Sequence, residues 1–176
     1  GDRIVFPWER TGWAHLYSVP ASGGTPSELT PGNGEVEFVA ASKDGTQLIY
    51  NTNIGDIDRR HVMRVAADGK SAPVATVGGA HIAWNAVQSS AGGIYALVSD
   101  ARLPAHAAVM RTAGTTPQWT HLAAETMPAD FPSASLVTPT AITLRATDGV
   151  QSYGQLFMPP DAAPGKKYPA VIFLHG

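Results

Sequence analysis

The chain has 176 residues, with 12 Lys and Arg against 14 Asp and Glu, a formal net charge of −2, and no cysteine. That balance supplies no basic face for phosphates, which argues against a nucleic-acid binder; the lack of cysteine excludes a disulfide scaffold, a cysteine-ligated zinc and a cysteine nucleophile. Hydrophobic residues at 44% support a packed core, and 18 glycines with 14 prolines point to a turn-rich β protein.

The first apolar stretch is Ile4-Val5-Phe6, and from there an internal repeat organises the chain. His15-Leu16-Tyr17-Ser18-Val19 aligns with His61-Val62-Met63-Arg64-Val65 at an offset of 46, and then with Ala108-Val109-Met110-Arg111-Thr112 at an offset of 47. Each copy runs into a turn: Ala21-Ser22-Gly23-Gly24, Ala67-Asp68-Gly69 and Ala113-Gly114-Thr115. A second pair recurs out of phase, Gln47-Leu48-Ile49-Tyr50 after Asp44-Gly45 and Ile94-Tyr95-Ala96-Leu97 after Gly92-Gly93. Four short strands per period of ~40–50 residues is the pattern of a β-propeller blade. The count is the end of one blade over about 3–31 and full blades over about 35–78 and 81–123, roughly two and a half in all. A β-sandwich with coincidental spacing is the rival architecture.

After Pro128 the texture changes, and Phe131-Pro132 and Thr138-Pro139 interrupt any regular strand. Residues 142–147 alternate, Asp148-Gly149 turns, and 153–158 alternate back, which predicts a hairpin. The Pro-rich stretch 159–167 leads into Tyr168-Pro169-Ala170-Val171-Ile172-Phe173-Leu174, followed by His175-Gly176. An uninterrupted apolar run of this kind suits a strand buried on both faces of a parallel sheet. Both ends read as cuts, so the chain is expected to be an excerpt of a longer protein.

Several of these pieces resemble the prolyl oligopeptidase family of serine peptidases, above all its bacterial dipeptidyl peptidase IV-like and acylaminoacyl peptidase-like members. They are Trp13-Ala14-His15-Leu16-Tyr17, Asp58-Arg59-Arg60-His61, Thr147-Asp148-Gly149 with Gly154-Gln155-Leu156, and Lys167-Tyr168-Pro169 running to His175-Gly176. The resemblance implies a mostly β chain: a partial β-propeller over 1–123, an interdomain crossover over 124–141, and the N-terminal strands of an α/β-hydrolase domain over 142–176. It further implies a parent that cleaves short peptides through an acyl-enzyme, with the propeller gating the site. In that family the residues matching His175 and Gly176 help build the oxyanion hole. The resemblance implies no cofactor, leaves a homo-oligomeric parent open, and favours a periplasmic or secreted location over a cytoplasmic one.

No Gly-x-Ser-x-Gly elbow occurs in the sequence, so the Ser, Asp and His of a hydrolase triad are expected downstream of Gly176. The chain by itself is expected to hydrolyse nothing. A non-catalytic propeller binding module and a carboxylesterase on the same fold are the alternatives. Of the other histidines, His15 and His61 sit at equivalent repeat positions, which suggests packing; none of the five shows a metal-ligand spacing, and no metal site is expected. Asp56 and Asp58 are expected to pair Arg59 and Arg60. Glu35 and Glu37 share a strand face and are read as solvated rather than as a glycosidase pair. Trp8, Trp13, Trp84 and Trp119 are expected to pack between blades.

Overall fold

In the computed structural model, residues 2–75, 81–110 and 118–174 are described. The Ala113-Gly114-Thr115 turn falls outside them. Three antiparallel sheets follow one another along the chain. The first holds β1 (Arg3–Trp8), β2 (His15–Pro20) and β3 (Ser27–Glu28) in that order. The second is a four-stranded meander of β4 (Val36–Ala41), β5 (Gln47–Thr52), β6 (His61–Ala66) and β7 (Val74–Ala75). The third repeats it with β8 (Ile82–Gln88), β9 (Ile94–Ser99), β10 (His106–Met110) and β11 (Trp119–His121). A single 3-10 turn at Ala124–Thr126 follows, and then the hairpin of β12 (Thr140–Arg145) and β13 (Gln151–Leu156). The chain is nearly all β, as the repeat predicts, and the sheets are consistent with a partial propeller.

The turns form where the glycines allow them. Gly45 donates to Ser42 at 2.9 Å, Gly69 to Ala66 at 3.2 Å and Gly92 to Ser89 at 3.0 Å, each closing a tight turn. Gly45 sits at φ +69, a left-handed conformation that an L side chain rarely adopts. The Asp44 carboxylate then braces its own turn, accepting from the Ser42 hydroxyl at 2.6 Å and from the Thr46 amide at 3.1 Å.

Burial shows how the sheets stack. Leu16 and Leu29 of the first sheet region meet Leu48, Tyr50 and Val65 of the second in one cluster. Ile49 and Val62, on the opposite face of the second sheet, meet Ala83, Ala86, Ile94 and Val98 of the third. In β5, Leu48 through Thr52 are therefore buried without a break. In β9, buried and exposed residues alternate, leaving Tyr95 and Leu97 open. A strand covered on both faces loses the period-two signal; a strand covered on one keeps it. Such face-to-face stacking is how blades bury what one blade cannot.

Polar bonds stitch the same seams. The Ser18 hydroxyl donates to the carbonyl of Ala67 at 2.7 Å, and the Val36 amide to that of Ala14 at 2.8 Å. Between the second and third sheets the Ala83 amide donates to the carbonyl of Arg60 at 2.9 Å. The first strands of both four-stranded sheets bulge, β4 between Val36 and Phe38 and β8 between Trp84 and Val87. Within the second bulge Asn85 takes φ +51.

Three sequence expectations need correction. The ladder pairs Gln47 with Ala66 but Ile94 with Met110, so the third strand of the third sheet begins at His106, not Ala108. The loop between β9 and β10 is shorter than that between β5 and β6, and alignment by side-chain type does not see it. Residues 168–174 form no strand, and Val171, Ile172, Phe173 and Leu174 are 83–95% exposed. A strand buried on both faces exists only beside its neighbours, and none of the described strands pairs with this run. Of the tryptophans, Trp119 packs against the core. Trp8 instead lies 41% exposed at the edge, its ring 5.2 Å from Tyr17 and its face under Arg10.

Candidate functional site

The residues singled out in sequence separate into four places. His175 and Gly176, the expected oxyanion-hole region, lie outside the described residues. Ahead of them, Tyr168 is anchored locally, its hydroxyl accepting from the Ala163 amide at 3.0 Å.

The second place is the group of histidines that open equivalent strands: His15 begins β2, His61 begins β6 and His106 begins β10. His15 is 1% exposed. Its Nε2 donates to the Gly34 carbonyl at 3.0 Å, and its Nδ1 meets Glu28 at 2.6 Å and Thr11 at 3.2 Å. A catalytic relay needs the hydroxyl and the carboxylate on opposite ring nitrogens. Here both are on Nδ1, so the cluster is a clasp between β2, β3 and the stretch leading into β4, in line with a packing role.

His106 and His121 form the third place, with ring centroids 3.9 Å apart. Nδ1 of His106 donates to the Pro104 carbonyl at 2.8 Å, while its buried Nε2 has no hydrogen-bond partner among the described residues. Burial, then the neighbouring His106 and His81, push the His121 imidazole below its ordinary value, with Asp100 opposing them. The two rings help line a cavity of about 410 Å³ whose walls include Leu103, Leu122 and Met127. Sequence reasoning did not pair these rings; with the strand placed two residues too late, at Ala108, His106 lay outside it. Among the described residues no three His, Asp or Glu side chains are gathered as metal ligands.

The fourth place is the charged loop before β6. Arg59 pairs with Asp56 at 2.8 Å, and His61 Nε2 lies 3.5 Å from the same carboxylate. Burial alone would raise the Asp56 carboxyl, but the Arg59 bond and the Asp58 amide outweigh it and hold it below its ordinary value. Arg60 turns the other way: its guanidinium forks onto Glu37 at 2.8–3.2 Å, so the expected pairing with Asp58 is not made. The bulge in β4 re-aims the chain at Glu37 and brings it there. Glu37 is thus a solvent-exposed carboxylate, as expected, and the ion-pair partner of Arg60 as well.

Against this geometry, the sequence profile described as the dipeptidyl peptidase IV (DPP IV) N-terminal region matches residues 1–102. The chain belongs to the dipeptidyl peptidase IV family. The matched span covers the first two sheets and the start of the third. A probable dipeptidyl peptidase 4 of Aspergillus clavatus is 33% identical over 90 residues, which are 51% of this chain and 12% of that protein. A probable dipeptidyl peptidase 4 of Aspergillus flavus is 26% identical over 169 residues, 96% of this chain and 22% of the relative. The similarity to that second dipeptidyl peptidase 4 therefore runs on through the β12–β13 hairpin. The chain spans between 12% and 22% of the length of these curated relatives.

Proposed function

We propose that this chain is the propeller-to-hydrolase segment of a serine peptidase that releases short peptides by acyl-enzyme chemistry. Residues 1–123 would form the last blades of the propeller, 124–141 the crossover, and 142–176 the first strands of the catalytic domain. The observation that carries the reading is the stack of repeated antiparallel sheets inside the span matched to the dipeptidyl peptidase IV family. The exposed apolar run 171–174 supports it, because four such side chains in a row are stable only when other strands cover them.

In this reading the chain supplies position rather than the nucleophile. His175 and Gly176 would stand at the carboxyl end of a sheet strand, where α/β sites form. Donors there would meet the negative charge that develops on the scissile carbonyl oxygen. The serine that attacks the carbonyl, and the histidine that takes its proton, would lie further along the parent, and the propeller would admit only small or unfolded peptides.

The test compares the parent with the 176-residue chain using a serine-directed fluorophosphonate and a chromogenic dipeptidyl anilide. The parent should label on a serine beyond Gly176 and release the anilide, and the chain should do neither. Labelling of a serine within 1–176 with substrate turnover would overturn the assignment. Turnover of esters but not peptides by the parent would point to a carboxylesterase instead.

A further inference from the structure

A second cavity, about 620 Å³ in volume, lies where the loops before β6 and β10 meet the crossover and the β12–β13 hairpin. That is the size range of small-molecule sites. Ile82, Leu103, Pro139 and Phe157 give it an apolar wall. Four charged residues line it: Asp58, Arg59, Asp100 and Arg102.

Two of the four are already engaged. Arg59 is held by Asp56 at 2.8 Å. One oxygen of Asp100 accepts from the Arg102 and Leu103 amides at 2.7 and 2.9 Å, and the other faces His81 at 3.8 Å. The other two are not. Among the described residues, neither the Asp58 carboxylate nor the Arg102 guanidinium has a hydrogen bond or ion pair, and they do not reach each other. One cavity thus presents a lone negative group, a lone positive group and an apolar surface.

We propose that this cavity binds a short zwitterionic peptide, with the peptide's ammonium group on Asp58, its carboxylate on Arg102 and its side chains against the apolar wall. A free dipeptide carries both charges on one small molecule, whereas a simple anion or cation would satisfy one lining group and leave the other unmatched. An arginine fork suits a terminal carboxylate because the two can share two parallel hydrogen bonds. The choice of a dipeptide rests on the peptidase reading above, since an enzyme that cuts dipeptides from a chain makes this species. The pocket would then be a holding or exit site for product, built by the propeller and the hairpin together.

The test is a titration of the 176-residue chain with alanyl-leucine, followed by amide NMR, beside N-acetyl-alanyl-leucine and alanyl-leucinamide. The free dipeptide should give saturable shifts at Asp58, Arg102 and Phe157. Each blocked peptide should bind roughly tenfold more weakly, the loss expected for one charge-assisted hydrogen bond. Asp58→Asn should abolish the penalty for acetylation and Arg102→Gln the penalty for amidation, with unchanged circular dichroism showing that both variants fold. No saturable shift, or equal affinity for blocked and free peptides, overturns the proposal. Anilide release by the parent is measured separately, so a failed peptidase reading and a failed site give different results.

Discussion

Asn51 and Ala83 lie on different sheets, yet the side-chain amide of the first donates to the backbone carbonyl of the second. The same amide accepts from the Ala86 N–H at 3.5 Å, so one fully buried side chain closes both sides of the β8 bulge. Asn51→Leu fills the volume but strands two backbone groups. At ~1–3 kcal/mol for each unsatisfied group, the expected loss is about 2–6 kcal/mol. A urea midpoint on the 176-residue chain reads it, and a midpoint within error of the parent sequence would show that the seam does not need this bond.

Gly34 is constrained by space as well as by torsion. At φ +146, a Cβ there would sit 2.6 Å from Oδ1 of Asn53 and 2.9 Å from the Ile54 nitrogen. Asn53 cannot yield freely, because that oxygen accepts from the Glu35 amide at 2.7 Å. Gly34→Ala should cost about 1–3 kcal/mol and loosen the His15 clasp, which uses the Gly34 carbonyl. Gly45→Ala meets nothing within 4 Å and bears only the torsional cost. Thermal midpoints should therefore fall further for position 34 than for position 45.

Much of this was legible in the residues and some was not. Asp-Gly and Gly-Gly turns between alternating runs announced the hairpins, because those glycines need left-handed torsions that the sequence alone can signal. The two-residue outer strands Ser27–Glu28 and Val74–Ala75 carry no periodicity, and only their neighbours define them. His15 could be placed by the repeat, but its carboxylate partner comes from β3 and its carbonyl partner from the stretch leading into β4. Arg60 chose Glu37 over Asp58 because a backbone bulge, invisible in composition, re-aimed the acid. The strand expected over 168–174 is not formed for a related reason: its apolar pattern describes surroundings that the described strands do not supply.

Acid should expose the Asp44 turn. Bonds from the Ser42 hydroxyl, then from the Thr46 amide and hydroxyl, bring the Asp44 carboxyl down to about 2. An unfolded aspartate titrates near ~3.9, so folding favours the ionised form. That contribution is complete above the unfolded value and is lost as pH falls from about 4 toward 2. Asp44→Asn should flatten the acid limb of a stability-against-pH curve in that window, measured by denaturant midpoints. An unchanged limb would mean that the turn makes no such contribution.

His121 predicts a second, higher window of the same sign. Its imidazole is held below the ordinary value, so the folded chain favours the neutral ring. Stability should be highest above the unfolded value near ~6.5 and should decline as pH falls below it, until the folded ring itself takes a proton. His121→Gln should remove this decline while leaving the Asp44 window intact. Carbon-13 shifts of the His121 ring, followed from pH 8 to 4, report the same titration directly.

The contrast between β5 and β9 bears on how the molecule comes apart. The central strand β5 has no solvent-facing residue, whereas the third sheet turns Val87, Tyr95 and Leu97 outward. Amide protons of Ile49, Tyr50 and Asn51 should therefore exchange with deuterium last, and those of the flanking sheets earlier, as layers are shed from the outside inward. A break in either flank converts one face of the middle sheet from core to surface at a stroke. The innermost layer thus borrows its protection from its neighbours, and a cut or mutation in a flank should register first as faster exchange two strands away from the lesion.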